Sequence, residues 1–142
     1  MNPREYYDRL IATMPAGADR AVLRVLSFHI GLDNAIKKSD LMSECARIGT
    51  HFSDERQVRS VIVEKLRKRG VLICASSGDS GYFIASTLQE YLEFRGREYV
   101  KKIVDMRETV TLMDAQARTI FSKEYEDHQK QQAAKAGQPS LL

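Results

Sequence analysis

Ser53-Asp54-Glu55-Arg56-Gln57-Val58-Arg59-Ser60-Val61-Ile62-Val63-Glu64-Lys65-Leu66-Arg67-Lys68-Arg69-Gly70-Val71-Leu72-Ile73-Cys74-Ala75 contains the change of period that decides the fold. Ser53 and Asp54 are good helix-capping residues, and Asp54 and Glu55 place negative charge at the positive end of the helix dipole. The spacing predicts a helix over 53–69, with Val58, Val61, Ile62 and Leu66 turned inward and Gly70 as its stop. From Val71 to Ala75 the run becomes β-branched and apolar, which predicts a strand.

Upstream, Thr50-His51-Phe52 reads as a three-residue turn. It follows a helix capped by Ser39 and carrying Leu41, Met42, Cys45 and Ile48 on one face until Gly49. Ile36-Lys37-Lys38 reads as a short extended piece before that cap. Further upstream, Asp19 opens a core helix with Ala21, Val22, Val25, Leu26 and Phe28 that continues to Gly31. Residues 1–17 read as a helical arm, with Tyr6, Leu10, Ile11 and Met14 at helical spacing and Pro15 and Gly17 closing it. Such an arm is expected to pack on another surface.

Downstream, Ser76-Ser77-Gly78-Asp79-Ser80-Gly81 is turn material and Tyr82-Phe83-Ile84 is a second strand, together a β-hairpin. Thr87 and Glu90 have the spacing of a capping box. It opens a long helix assigned to 87–128, in which only Gly96 interrupts good helix-forming sequence. Residues 129–142 read as a polar, flexible tail.

The expected fold is therefore mainly α with a small β-hairpin. Helix, short strand, helix, turn, helix and hairpin is the order of a winged helix-turn-helix domain, assigned to 18–86 and followed by the long C-terminal helix. In that arrangement the first helix of the pair braces the second, which can lie in a major groove of double-stranded DNA. On a helical wheel Val58, Ile62, Lys65 and Leu66 line the inner side of 53–69. Arg56, Ser60, Val63 and Arg67 face outward, with Gln57 and Arg59 on the flanks. Arginine can bond guanine bidentately, glutamine can do so with adenine, and an exposed valine can touch a thymine methyl. Lys37, Lys38 and Lys68 are placed to contact phosphate, and Ser77 at the hairpin tip can do so through its hydroxyl or backbone N–H.

Residues 36–99 resemble the small winged helix proteins found in phages and prophages of bacteria. The resemblance lies in Val58-Arg59-Ser60-Val61-Ile62, Leu66-Arg67-Lys68-Arg69-Gly70-Val71-Leu72-Ile73, Gly81-Tyr82-Phe83-Ile84-Ala85 and Thr87-Leu88-Gln89-Glu90-Tyr91. It implies that the arginine-bearing helix reads DNA, that the Gly-Tyr-aromatic strand closes the wing, and that the role is regulatory or replication-linked. The chain departs from many wings in having no Lys or Arg within 76–80.

Charge is distributed to match. Net charge is only +3, but 36–70 holds nine Lys or Arg against five Asp or Glu. Hydrophobic and charged fractions of 43% and 29% are those of globular proteins. No apolar run approaches a membrane span and no secretory leader is evident, so the expectation is a cytoplasmic protein. Cys45 and Cys74 read as small buried hydrophobes. His29, His51 and His128 have no metal-ligand spacing, and neither a catalytic constellation nor a phosphate loop appears, so neither an enzyme nor a cofactor is expected.

Tyr99, Ile103, Met106, Val110, Met113, Ala117 and Ile120 recur at alternating steps of four and three. This seam is expected either to pair with a second copy, giving a homodimer that addresses a pseudo-palindromic site, or to fold back on residues 6–14. The competing reading of the whole chain is an oligomeric protein-interaction module or phage replication accessory protein that uses the same domain as a scaffold. No sequence feature identifies an effector ligand.

Overall fold

Capping and changes of period set the element order in the computed structural model, which describes residues 2–78 and 81–135. Helices α1 (Pro3–Thr13), α2 (Ala18–Leu26) and α3 (Lys38–Arg47) precede α4 (Glu55–Ser60), which runs on through wide turns at Val61–Leu66 and a tight turn at Arg67–Arg69. Strands β1 (Ile73–Ala75) and β2 (Tyr82–Ile84) follow, then α5 (Leu88–Arg95), wide turns at Gly96–Val100, α6 (Lys101–Ile120) and α7 (Ser122–Ala134). The protein is thus mainly helical with a small two-stranded antiparallel sheet. It divides into two compact units, Met1–Arg95 and Gly96–Leu142.

In the first unit, Val22, Leu23 and Leu26 of α2 pack with Leu41 and Cys45 of α3 and with Val58, Ile62 and Leu66 of the α4 segment. All eight side chains are fully buried. Helix α1 is integral to this core, because Tyr7 and Ile11, and Met14 just after its end, are buried in it. Tyr7, not Tyr6, is the inward tyrosine, and its hydroxyl accepts a hydrogen bond from the Leu72 amide at 3.1 Å.

The hairpin pairs Ile73 with Ile84, Cys74 with Phe83 and Ala75 with Tyr82. Its alternate residues point to opposite faces. Ile73, Tyr82 and Ile84 close the main core, while Cys74 and Phe83 join Ala85 and Phe94 beneath α5. Both faces being covered explains why the strands read as continuous apolar runs. Ile36 exchanges two 2.8 Å backbone bonds with Tyr82, so β2 lies between the extended Ile36 and β1. Gly81 permits that approach: it has φ +89°, and a Cβ there would run into the Ile36 carbonyl.

Several boundaries differ from the sequence expectation. Lys37, not Ser39, is the N-cap of α3, and Ser39 lies inside the helix, where its carbonyl accepts from Ser43 Oγ. Asp19 is in the first turn of α2 rather than at its cap, which is Gly17, and α2 ends at Leu26. The connection between α3 and α4 covers 48–54 rather than three residues, because α3 ends at Arg47 and α4 begins only after its N-cap, Asp54. The long helix is broken at Phe121, whose φ −119° and ψ 44° leave the helical region. Residues 129–134, expected in the tail, are helical. Asp79, Ser80 and 136–142 lie outside the described residues. Among the described residues no helix is long and apolar enough to cross a membrane.

The capping box at Thr87 forms and reaches further than its local role. Thr87 Oγ1 accepts from the Glu90 amide at 3.2 Å, and Glu90 Oε1 accepts from the Ser86 amide and hydroxyl. Glu90 Oε2 accepts from the Leu32 amide at 3.0 Å, tying the loop after α2 to the start of α5. Burial works to raise the carboxyl, but the bonds from Leu32, Ser86 and Thr87 outweigh it and hold Glu90 below its usual range. The unfolded chain then binds more protons at mildly acidic pH. The stabilisation from Glu90 is complete above the ordinary value of about 4.3 and is lost as pH falls through the folded value. Thermal melts from pH 7 to pH 3 should show Glu90→Gln less stable than the parent at pH 7, with the gap narrowing on acidification. A gap that stays constant across this range would show that the ionised carboxylate is not what ties the two segments.

Candidate nucleic-acid interface

The α4 segment carries six basic and two acidic residues within 55–69. A reciprocal cap starts it: Asp54 Oδ1 accepts from the Gln57 amide at 3.0 Å, and Gln57 Oε1 accepts from the Ser53 amide at 2.9 Å. The Gln57 carbonyl expected to help read adenine is therefore occupied by the backbone, leaving its amide nitrogen for other partners.

Val58, Ile62 and Leu66 anchor the segment at intervals of four residues. In a regular helix of 3.6 residues per turn that spacing drifts around the axis, whereas the wide turns at Val61–Leu66 keep the anchors on one side. The same widening rotates the later residues away from their wheel positions. Val63, expected to be outward, is partly buried against the core. Lys65, expected to be inward, is exposed. Lys65 is thus a cationic residue that a 3.6-residue wheel misses, and only anticipating the wide turn would have found it.

Arg56 and Arg59 are exposed, and neither takes part in an ion pair among the described residues. Ser60 is exposed beside them and donates its hydroxyl to Glu64 Oε2 at 3.0 Å. Arg67 departs from the expected reading face. It is half-buried, its Nε donates to the Ile73 carbonyl at 2.9 Å, and its guanidinium lies 4.7 Å from the Phe94 ring centre. Those partners use Arg67 to join the end of the α4 segment to β1 and α5. Lys68 and Arg69 are exposed just before Gly70, whose φ of +87° ends the segment.

Lys37 and Lys38 are exposed at the start of α3, with the Lys38 ammonium 5.8 Å from the Tyr82 ring centre. Helix α3 packs on α4, so these lysines and the α4 arginines belong to one helix pair. Ser77 is exposed at the end of the hairpin. These exposed residues offer guanidinium, ammonium and hydroxyl donors, the groups that meet phosphate oxygens and guanine edges.

Other reactive residue types are engaged elsewhere. His29, beyond the end of α2, has Nδ1 2.8 Å from the Asn34 carbonyl. Cys45 and Cys74 are both buried, and burial, with Glu44 nearby, pushes the Cys45 thiol up to about 11. Among the described residues no group of three or more His, Cys, Asp or Glu is placed to hold a metal ion. Comparison with family models, curated proteins and solved structures finds no match to this chain.

The two kinds of arginine should separate in a stability measurement. Arg67→Ala should lower unfolding stability by about 1.5–3 kcal/mol, as expected for losing a hydrogen bond from a charged donor. Arg56→Ala should stay within about 0.5 kcal/mol of the parent, as for an exposed side chain without such a bond. Equal losses in urea denaturation would remove the distinction between a structural and a free arginine.

Proposed function

We propose that this chain is a sequence-specific double-stranded DNA-binding protein that acts as a transcriptional regulator. On this reading the first unit is a winged helix-turn-helix domain and the α4 segment enters the major groove. The observation that carries it is the pair of exposed arginines, Arg56 and Arg59, on a helix anchored by three fully buried side chains.

The strand order supports the domain assignment. A short extended residue before the helix pair bridges to the last strand, and that strand pairs with the one before it, as in a three-stranded winged helix sheet. Arg56 and Arg59 then supply base contacts, Ser60 and the Gln57 amide nitrogen sit beside them, and Lys65, Lys68, Lys37 and Lys38 hold phosphate. Ser77 belongs to the same phosphate-positioning set. The wing is a minor contributor, because 76–80 has no cation. The second reading, a scaffold for protein partners, draws on the exposed apolar residues of α6.

Fluorescence anisotropy with labelled duplexes from a selected pool tests the proposal. Arg56→Ala and Arg59→Ala should each weaken binding to the preferred duplex by about 1–3 kcal/mol and flatten the preference among sequences. Lys68→Ala should weaken all duplexes similarly and reduce the salt dependence, by about 0.9 in the log–log slope for one lost phosphate contact. Binding that is indifferent to Arg56 and Arg59, or that shows no sequence preference at any salt concentration, would contradict groove reading by α4.

A further inference from the structure

In the second unit α6 has no buried residue over its 20 positions. Ile103 is 54% exposed, Met106 68%, Met113 67% and Ile120 65%, with Val110 and Ala117 between them half-buried. We infer that α6 pairs with α6 of a second copy of this chain in antiparallel orientation, centred between Thr111 and Leu112. The inference is independent of the DNA-binding reading.

Orientation follows from side-chain size and flanking charge. A parallel, in-register pair would set each seam residue against its own copy, so the small Ala117 would face Ala117 and the long Met106 and Met113 would each face themselves. The antiparallel register instead gives six layers of better-matched volume. Ile103 meets the partner's Ile120, Met106 meets the partner's Ala117, Val110 meets the partner's Met113, and the two-fold repeats each layer. Large against small fills space at native packing density, whereas two alanines leave a gap.

Charge points the same way. Arg107 and Asp114 flank the seam on one side, Lys102 and Thr109 on the other, and neither Arg107 nor Asp114 has an ion-pair partner among the described residues. Parallel pairing brings Lys102 of one copy toward Arg107 of the other, and does so twice. Like charges in this relation repel. Antiparallel pairing places Arg107 beside the partner's Asp114 and Asp114 beside the partner's Arg107, with Thr109 beside the partner's Gln116. Val100 and Phe121 then cover the two ends as an apolar pair. The register stops where the backbone leaves the helix at Phe121, so Tyr99, grouped with the seam in sequence, falls outside the six layers.

Sedimentation equilibrium of the full chain and its variants tests both the pairing and its direction. Arg107→Asp should weaken the dimer about tenfold, because it sets Asp against Asp114 twice. The double swap Arg107→Asp with Asp114→Arg should restore it. In a parallel dimer the single swap would place Asp against Lys102 and strengthen association, so strengthening overturns the proposal, as does a parent chain that stays monomeric at 100 μM or a double swap that fails to restore. Disulfide trapping gives a second readout. Mixing Met106→Cys with Ala117→Cys under mild oxidation should give the mixed cross-link, whereas self-linked Met106→Cys would show parallel pairing and overturn it. Cys45 and Cys74 are fully buried and do not compete.

Discussion

Val58, Ile62 and Leu66 are fully buried at every fourth position of one segment. Removing three such side chains from water supplies on the order of 1.5–3 kcal/mol each. Helices α2 and α3 provide the surface that receives them. A helix held this way cannot roll, since rolling would bring Arg56 or Arg59 toward the core at a large desolvation cost. The orientation of the cationic face is therefore a consequence of packing on the opposite side. The wide turns at Val61–Leu66 belong to the same constraint, because they keep the anchors aligned.

The remaining elements of the first unit serve this platform. The hairpin covers the core with one face and is covered by α5 on the other, while Ile36 fixes β2 from its free edge. Gly81 is needed at that edge because only a residue without a side chain fits against the Ile36 backbone. Tyr7 and Arg67 each satisfy a backbone group of the chain around β1, the amide of Leu72 and the carbonyl of Ile73. Both lose the freedom to serve an external partner. Arg56, Arg59, Lys65, Lys68 and Arg69 remain exposed, and a cationic surface on a rigid helix is what a phosphate-lined groove attracts.

Much of this was legible in the residues themselves. The change from helical to strand-like spacing at Gly70 and the capping box at Thr87 are local signals with local causes, and a strand follows the one and a helix the other. The exposure of Arg56 and Arg59 also follows from the pattern. Features that depend on non-local partners were not legible. Arg67 looks like any outward arginine until Ile73 and Phe94 are placed beside it. Val63 and Lys65 exchange sides because the helix widens, which no fixed-period wheel represents. Tyr7 rather than Tyr6 turns inward because its hydroxyl finds the Leu72 amide 65 residues away. The connection after α3 proved longer because α3 stops at Arg47 and Asp54 is consumed in capping α4.

On the proposed reading, a duplex docks on the outer side of the α4 segment. Titrating the isotopically labelled full chain with its preferred duplex and following backbone and arginine side-chain resonances addresses it residue by residue. The expected result is that the largest changes fall on Arg56, Arg59 and Ser60, with smaller ones at Lys65, Lys68 and Lys37 and none in α1. Changes concentrated in α1 or α6, with the Arg56 and Arg59 guanidinium signals unmoved, would contradict the account.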